Sequence, residues 1–260
     1  MHDQSSALPP RHVLCVLGSD LDLDLVERVT RDAGGSAVLL DRDYSQRAAD
    51  PRMPRAFEAA TATTGWSDAD RAAVAGHDTV AYLMSPPMTR ETSLDVSRRM
   101  LVVTAALLRA GATAVKSESS GVGHGRAGWL TLADDAARGT PEGPATLPAG
   151  HELATALLDA WVQRPITDDD VIYSCGLHLL GLPDVEVADG RPDAERVAAL
   201  DGMAVYLATE SRASQMRDGE GFRTSADAPR WVLNHRPCRR YPEDDLYFNP
   251  YGYWRLTPAD

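Results

Sequence analysis

Along the first third of the chain, the apolar positions form first a strand-like run, then a helical spacing, then a second strand-like run. Residues 12–17, HVLCVL, form an apolar run typical of a buried strand. Residues 20–33 are acidic and repeat apolar positions at spacings of three and four, which predicts a helix that ends at the glycine pair 34–35. Residues 37–40 predict a second strand. The segment therefore reads as strand, helix, strand.

The same alternation continues to residue 138. Ser67 followed by Asp70 predicts the N-terminal cap of a helix. The longest apolar helix is predicted over residues 92–110, and its wide apolar arc indicates burial on more than one side. The other predicted elements of this half are a helix in two pieces over 52–76, strands over 79–84 and 112–115, and a helix over 129–137.

The second half of the chain repeats a mixture of strands and one long helix. Residues 139–150 hold three prolines and three glycines and predict a linker. A short helix follows, and residues 193–209 predict an amphipathic helix. The predicted strands are 171–174, a bent strand or hairpin over 175–188, and two strands near 230–234 and 251–256.

Together these elements predict an α+β fold, with mixed sheets covered by helices. The pattern also admits two related split-βαβ (ferredoxin-like) halves. The predicted organisation is a disordered tail over 1–11, an N-terminal α/β half over 12–138, the linker, and a C-terminal α+β half over 151–260. A single compact domain is the alternative to two separate halves.

Composition narrows the class of protein. The chain has 260 residues, 43% apolar and 25% charged, and a net charge of −12. The acidic balance argues against nucleic acid as a direct partner and is compatible with a basic protein partner. No apolar run approaches the ~20 residues of a membrane span. Three scattered cysteines and a start without a signal peptide predict a cytoplasmic protein, and no cofactor motif is complete.

The segment 123–128, GHGRAG, matches the glycine pattern of dinucleotide-binding loops. Such a loop needs a further strand about 20 residues on, and here the next helix leads into the linker instead. A phosphate-binding G-K-[ST] sequence is also absent. We therefore interpret residues 119–128 as a Gly-rich connection between a strand and a helix.

An enzyme site at the end of the fourth strand is the alternative interpretation of this region. A lysine beside an acid can act as a general base or form a plain ion pair, and serine with histidine is a nucleophile and base pair. The two residues at 116 and 118 share one face if residues 112–118 form a strand. The candidate catalytic residues are Lys116, Glu118, Ser119 and His124.

A zinc site is a second alternative. Two C-x-x-H and H-x-x-C spacings lie in the second half, and two cysteines with two histidines suit tetrahedral zinc. Against it, residues three apart on a strand point to opposite faces. The candidate ligands are Cys175, His178, His235 and Cys238.

Two acidic clusters are candidate partner-binding surfaces. A tail rich in aromatic residues, 241–254, surrounds the second of them, and we predict that these rings pack on the sheet and leave the acids exposed. The candidate partner-binding residues are Asp168, Asp169, Asp170, Glu243, Asp244 and Asp245.

Three segments together resemble a bacterial family of uncharacterised domains: "GATAVKSESSGVGH" after a long apolar helix, "GLHLLGLPDVEV" after an acidic turn, and the closing "NPYGYWRL". That family is met near secretion and toxin-immunity loci, and the resemblance covers residues 12–256. It implies an α+β fold and an interaction role, and it brings no catalytic residues. With the acidic charge, it leads us to expect a non-enzymatic binding protein that neutralises a basic toxin or effector.

Overall fold

A computed structural model describes residues 8–60, 65–139 and 143–259 of the chain. The helices are α1 (Leu23–Gly34), α2 (Met53–Ala60), α3 (Asp68–Ala75), α4 (Ser93–Arg109), α5 (Arg126–Arg138), α6 (His151–Trp161) and α7 (Asp193–Thr209). The strands are β1 (Val13–Gly18), β2 (Leu39–Gln46), β3 (Thr79–Met84), β4 (Ala112–Ser117), β5 (Gly123–Gly125), β6 (Gln163–Asp168), β7 (Val171–Cys175), β8 (Asp184–Ala188), β9 (Gly221–Phe222), β10 (Trp231–Arg236) and β11 (Tyr253–Pro258). The predicted α+β class is confirmed.

The first sheet has the strand order β2-β3-β1-β4-β5, and every neighbouring pair is antiparallel. Strand β3 separates β1 from β2, and β1 separates β3 from β4. Helices α1 and α4 are the two crossovers, so this half contains the split-βαβ arrangement of ferredoxin-like folds. Strand β5 adds a fifth strand at the edge.

The second sheet is built differently. Its order is β6-β7-β8-β11-β10-β9, with two antiparallel three-stranded units joined by the parallel pair β8 and β11. Helix α7 packs against β8 and leads from β8 to the parallel strand β9, and two strands, β11 and β10, lie between them. A split βαβ has one strand in that place, so the topology of this half is different and the interpretation as two related ferredoxin-like halves is wrong for it. The hydrophobic periodicity of a helix of this length is the same whether or not the crossover is a split βαβ, so the sequence does not distinguish the two topologies.

Helices lie between the two sheets and bury a core that both halves share. α4 contacts β4 and α6, and α6 contacts α7 on the second sheet. One cluster of buried apolar residues runs from Leu14 in β1 to Leu256 in β11. Trp129 of α5 and Trp161 of α6 meet edge to face within it, with ring centroids 5.0 Å apart.

Helices α2 and α3 cover the other face of the first sheet. Phe57 and Val74 pack there against Cys15 and Leu17 of β1. The start of α3 follows from local chemistry: the Ser67 hydroxyl accepts from the Asp70 amide, and the Asp70 carboxylate accepts from the Ser67 amide. This reciprocal capping box confirms the cap predicted for this helix.

The predicted tail and linker are only partly described. Residues 1–7 of the tail and 140–142 of the linker lie outside the described residues. The Leu8 amide donates to the Glu243 carbonyl oxygen at 3.0 Å, and the Ala149 amide to the Ala208 carbonyl oxygen at 2.8 Å. Ala145 is also buried. These parts of the two segments therefore pack against the body of the protein.

The aromatic tail leads into the second sheet, where its last two aromatic residues belong to β11, and none of its six rings is exposed. The Asn249 amide group anchors it by donating to the Asp184 carboxylate at 2.7 Å and to the Leu182 carbonyl oxygen at 3.0 Å. Burial raises the pKa of Asp184 to about 6, and the hydrogen bonds from Asn249, the Leu177 amide and Ser174 oppose that rise.

Candidate functional site

The segment that resembles a nucleotide loop forms strand β5. Its register pairs Gly123 with Lys116 and His124 with Val115 of β4. A tight turn joins β4 to β5, in which the Gly121 amide donates to the Ser117 carbonyl oxygen at 2.9 Å. The interpretation as a plain connection is therefore wrong for residues 123–125. Three residues with two glycines show no strand pattern, and only pairing with β4 makes them a strand.

The Lys116–Glu118 pair lies on the sheet face that α2 and α3 cover. Lys116 pairs across the sheet with Cys15, which pairs in turn with Tyr82. The Lys116 ammonium forms an ion pair with the Glu118 carboxylate, and the Lys116 side chain is 12% exposed. The two residues thus share a face, as their spacing predicts. Burial raises the pKa of Cys15 to about 12, and Glu118 adds to this rise, so the thiol stays protonated.

Ser119 is buried in the turn, and its hydroxyl forms hydrogen bonds to backbone atoms. Its hydroxyl donates to the Arg11 carbonyl oxygen at 2.8 Å and accepts from the Val13 amide at 3.1 Å. It therefore ties the start of β1 to the β4–β5 turn. A serine nucleophile would need a histidine in place of these partners.

His124 lies on the opposite face of the sheet from Lys116, because it pairs with Val115, the neighbour of Lys116 along β4. The four candidate catalytic residues Lys116, Glu118, Ser119 and His124 therefore do not converge. Sequence spacing placed them within nine positions, but the turn and the alternation of the strands divide them between two faces.

The His124 imidazole is itself buried, at 6% exposed, with its ring edge to face on Trp129 at 5.3 Å between centroids. Burial lowers its pKa to about 4, and the carbonyl oxygens of Ala160 and Asp159 oppose that fall. At neutral pH the ring is uncharged. Its Nε2 atom is sealed from solvent.

A cavity of about 350 Å³ opens beside His124, where β5 passes into α5. Gly125 forms part of its wall, and a Cβ at this position would overlap the Asp70 carboxylate. The glycine is therefore needed for the close approach of α3 to the start of α5. The polar and aromatic residues of the wall are Trp66, Asp70, His124, Asp159, Arg164 and Asp201.

On one side of the cavity, the Arg164 side chain links α6 to α7. Its Nη2 donates to Asp159 Oδ1 at 2.7 Å and its Nε donates to Asp201 Oδ1 at 3.0 Å. Its Nη1 donates to the Leu158 carbonyl oxygen at 2.9 Å. Sequence reasoning singled out His124 alone among these residues for chemistry. The others come from α3, α6, β6 and α7, and no local spacing connects them.

The structure does not support the alternative of a zinc site. His178 lies in a short 3-10 turn, buried, where burial lowers its pKa to about 4. His235 is exposed on β10, and its ring nitrogen bonds the Tyr251 carbonyl oxygen at 2.9 Å. Within residues 8–60, 65–139 and 143–259 no group of three or more His, Cys, Asp or Glu could hold a metal ion. Cys175, His178, His235 and Cys238 do not form a ligand set.

The two acidic clusters lie at the surface, and all their residues except Asp245 are exposed. Asp168, Asp169 and Asp170 form the end of the β6–β7 hairpin, and Asp168 pairs with Arg240 at 3.1 Å. Arg240 also pairs with the buried Glu186 at 2.5 Å. The cluster of Glu243, Asp244 and Asp245 begins three residues after Arg240.

Most of the acidic side chains in these clusters are exposed to solvent. Asp245 accepts from the Tyr247 amide at 2.8 Å and is half-buried. The exposed side chains of Asp169, Asp170 and Asp244 form no ion pair with any residue that the structure describes. They therefore carry uncompensated negative charge at the surface.

Compared with known proteins, the chain matches no family model, no curated protein and no solved structure. The resemblance to the family met near toxin-immunity loci stays a prediction. In the part of the chain that is described, no helix has both the length and the apolar character to cross a membrane.

Proposed function

We propose that this protein is a non-enzymatic binding protein of the cytoplasm, of the immunity type, which holds a basic toxin or effector protein against its acidic surface. The observation that carries the proposal is the exposure of Asp169, Asp170 and Asp244, which form no ion pair among the described residues. Arg240 pairs with Asp168 of the first cluster and stands three residues before Glu243 of the second in the chain.

The charge of Arg240 does not neutralise this surface. Arg240 is bound to Glu186 and stacks over the Tyr173 ring, 3.7 Å from its centroid. Asp169, Asp170 and Asp244 remain exposed without an ion pair among the described residues. A net charge of −12 adds a long-range field of the same sign. Such a field speeds encounter with a basic protein and discriminates against acidic ones.

The experiment is a quantitative affinity capture from the source cell with two variants. The first variant carries Asp169→Lys, Asp170→Lys and Asp244→Lys, which reverse exposed charges and leave Asp168 bound to Arg240. The control carries Asp32→Lys, Asp43→Lys and Asp227→Lys, the same charge change at exposed positions outside the two clusters. We expect the wild type and the control to retain a basic protein that the first variant loses.

The captured protein is then purified and its association rate is measured at two salt concentrations. Loss of the clusters should slow association, and more so at low salt, because screening is weaker there. Equal capture by the two variants, or an association rate that does not depend on the clusters, would contradict the proposal.

A further inference from the structure

A larger cavity, of about 590 Å³, is lined by the segment that leads into α4, the end of α7 and strands β10 and β11. Its volume lies within the range of small-ligand sites, roughly 300–1,000 Å³. Both halves of the chain contribute to the wall, as does the end of the predicted linker. The cavity shares no residue with the one beside His124.

Much of the wall is apolar and belongs to the core that both halves share. Four of its side chains are core residues and are less than one-tenth exposed: Leu94, Leu182, Leu207 and Trp254. Three more pack against that core and are only half-buried: Leu147, Ala213 and Met216. Apolar surface of this kind is stabilised when a ligand removes it from water, and the flexible thioether of a methionine adapts to the shape of what it contacts.

Arg90, which also lines the cavity, is held in place by its neighbours. Gly181 has a φ of +76°, and a Cβ at this position would come within 2.7 Å of the Arg90 carbonyl oxygen, so the two backbones touch. The Arg90 guanidinium lies over the Tyr251 ring, 4.7 Å from its centroid. The carbonyl oxygen of Tyr251 is bound in turn by the His235 ring nitrogen at 2.9 Å. Both the backbone and the side chain of Arg90 are therefore fixed.

The charge of Arg90 is not compensated within the protein. Its guanidinium forms no ion pair with any residue that the structure describes. A guanidinium binds a carboxylate through two parallel hydrogen bonds. Because the Arg90 side chain is already held on a ring, it loses little conformational freedom when it binds such a group.

Two glutamates also line the cavity, and neither offers a comparable site for a cation. The Glu91 carboxylate accepts a hydrogen bond from the Thr89 hydroxyl, which is the main cause of its lowered pKa. Glu210 is exposed at the end of α7, and an exposed carboxylate attracts a cation only weakly in water. The wall therefore favours an anionic group on the ligand, beside an apolar one.

We infer that this cavity binds a small carboxylate with an apolar body, which places its carboxylate on the Arg90 guanidinium and its body against Leu207 and Trp254. The inference is independent of the proposed partner protein, because the cavity contains none of the residues of the acidic clusters.

The test is isothermal titration calorimetry of the full chain at pH 7.5 with four named probes. Octanoate has both features, 1-octanol is its neutral counterpart, octylammonium reverses the charge, and acetate has the charge without the apolar body. We expect octanoate to bind about ten-fold or more tightly than each of the others, as for a hydrogen bond to a charged group. Absence of octanoate binding, or equal binding of 1-octanol, octylammonium or acetate, would overturn the inference.

Two variants then locate the binding. Arg90→Gln removes the guanidinium charge, and we expect it to weaken octanoate binding about ten-fold or more. The control Arg28→Gln removes the same charge at an exposed residue of α1 outside the cavity, and it should leave the affinity within about two-fold. Equal affinities of the two variants for octanoate would contradict a role for Arg90.

A direct readout in the wild-type protein guards against misfolding of the variants. In 1H–13C spectra of methionine methyl groups, the Met216 signal, assigned with Met216→Leu, should shift on addition of octanoate. The signal of Met53, which packs between α2 and the first sheet, should stay unchanged. An unmoved Met216 signal in the saturated protein would refute the placement of the ligand in this cavity.

Discussion

Polar residues on the two faces of the first sheet are accommodated in different ways. On one face Lys116 is paired with Glu118, beside a thiol that burial keeps protonated. On the other face His124, which pairs with the neighbour of Lys116 along β4, is buried against Trp129 and uncharged at neutral pH. The difference teaches that two polar residues close together in sequence can be accommodated in different ways: Lys116 keeps its charge in an ion pair, and His124 is buried in the neutral form.

The largest expected effect is a loss of stability in acid that comes from the buried imidazoles. Burial lowers the pKa of His12 to about 3 and that of His124 and His178 to about 4. An unfolded histidine has a pKa near 6.5, so below that pH the unfolded chain binds protons that the folded chain refuses. The free energy of unfolding should therefore be fully retained above pH 6.5 and fall as pH decreases toward 4. For His124 alone the fall is about 3 kcal/mol.

Urea denaturation between pH 7.5 and 4.5 measures this fall, and two variants assign it to a face of the sheet. His124→Phe should reduce the dependence of unfolding free energy on pH by up to about one proton, because it removes a titrating group that burial keeps neutral. Lys116→Met, on the other face, should leave that dependence unchanged. The same dependence in His124→Phe as in the wild type would show that His124 is not the group that titrates.

The next effect concerns the glycine between β5 and α5. Gly125→Ala forces a Cβ onto the Asp70 carboxylate, so we expect a loss of about 1–3 kcal/mol in the free energy of unfolding. Gly128→Ala in the first turn of α5 meets nothing within 4 Å and should add about 0.5–1 kcal/mol. Thermal or urea denaturation of the two variants should give changes of opposite sign. A neutral Gly125→Ala would mean that α3 does not approach β5 this closely.

A smaller effect is expected for the Lys116–Glu118 pair. A double-mutant cycle with Lys116→Met and Glu118→Gln should give a coupling energy of about 1 kcal/mol, since the pair is only partly shielded from solvent. Urea denaturation of the four proteins measures it. A coupling of zero would mean that the two side chains do not interact in solution.

The smallest effect is expected at the exposed acids. Asp244→Asn should change the free energy of unfolding by less than about 0.5 kcal/mol, because its side chain is solvent-exposed and forms no ion pair among the described residues. A larger loss, measured by thermal denaturation, would assign Asp244 a structural role and remove it from the partner surface.

Local patterns predicted much of the fold. The helix over 193–209 and the strand over 79–84 have the bounds that periodicity predicts, and the Ser67 cap is present with its reciprocal bond. Strand β6 was missed, because its sequence QRPITD has neither alternation nor an apolar run and is a strand only through its pairing with β7. The strand order of the second sheet was also missed, because the hydrophobic periodicity of α7 does not depend on the path that the helix takes over the sheet.

The candidate sites depended even more on tertiary structure. Spacing grouped Lys116 with His124, and the alternation along β4 places them on opposite faces of the sheet. Spacing also grouped Cys175 and His178 with His235 and Cys238, and the structure does not bring these four together as ligands. The residues that surround the cavity, from Trp66 to Asp201, are distributed over six helices and strands and the loops beside them, and they share no motif. The sequence showed only that His124 lies between two glycines and follows a predicted strand.

The sequence by itself determined the class of fold, the positions of most helices, the acidic charge and the exposure of the two acidic clusters. Each of these depends on short-range periodicity or on composition. Only the tertiary structure decided that β5 is a strand, that Lys116 and His124 lie on opposite faces, and that the carboxylates of Asp159 and Asp201 meet Arg164. Such features arise from contacts between residues far apart along the chain, where pairing, burial and close approach are set by the packing of whole elements.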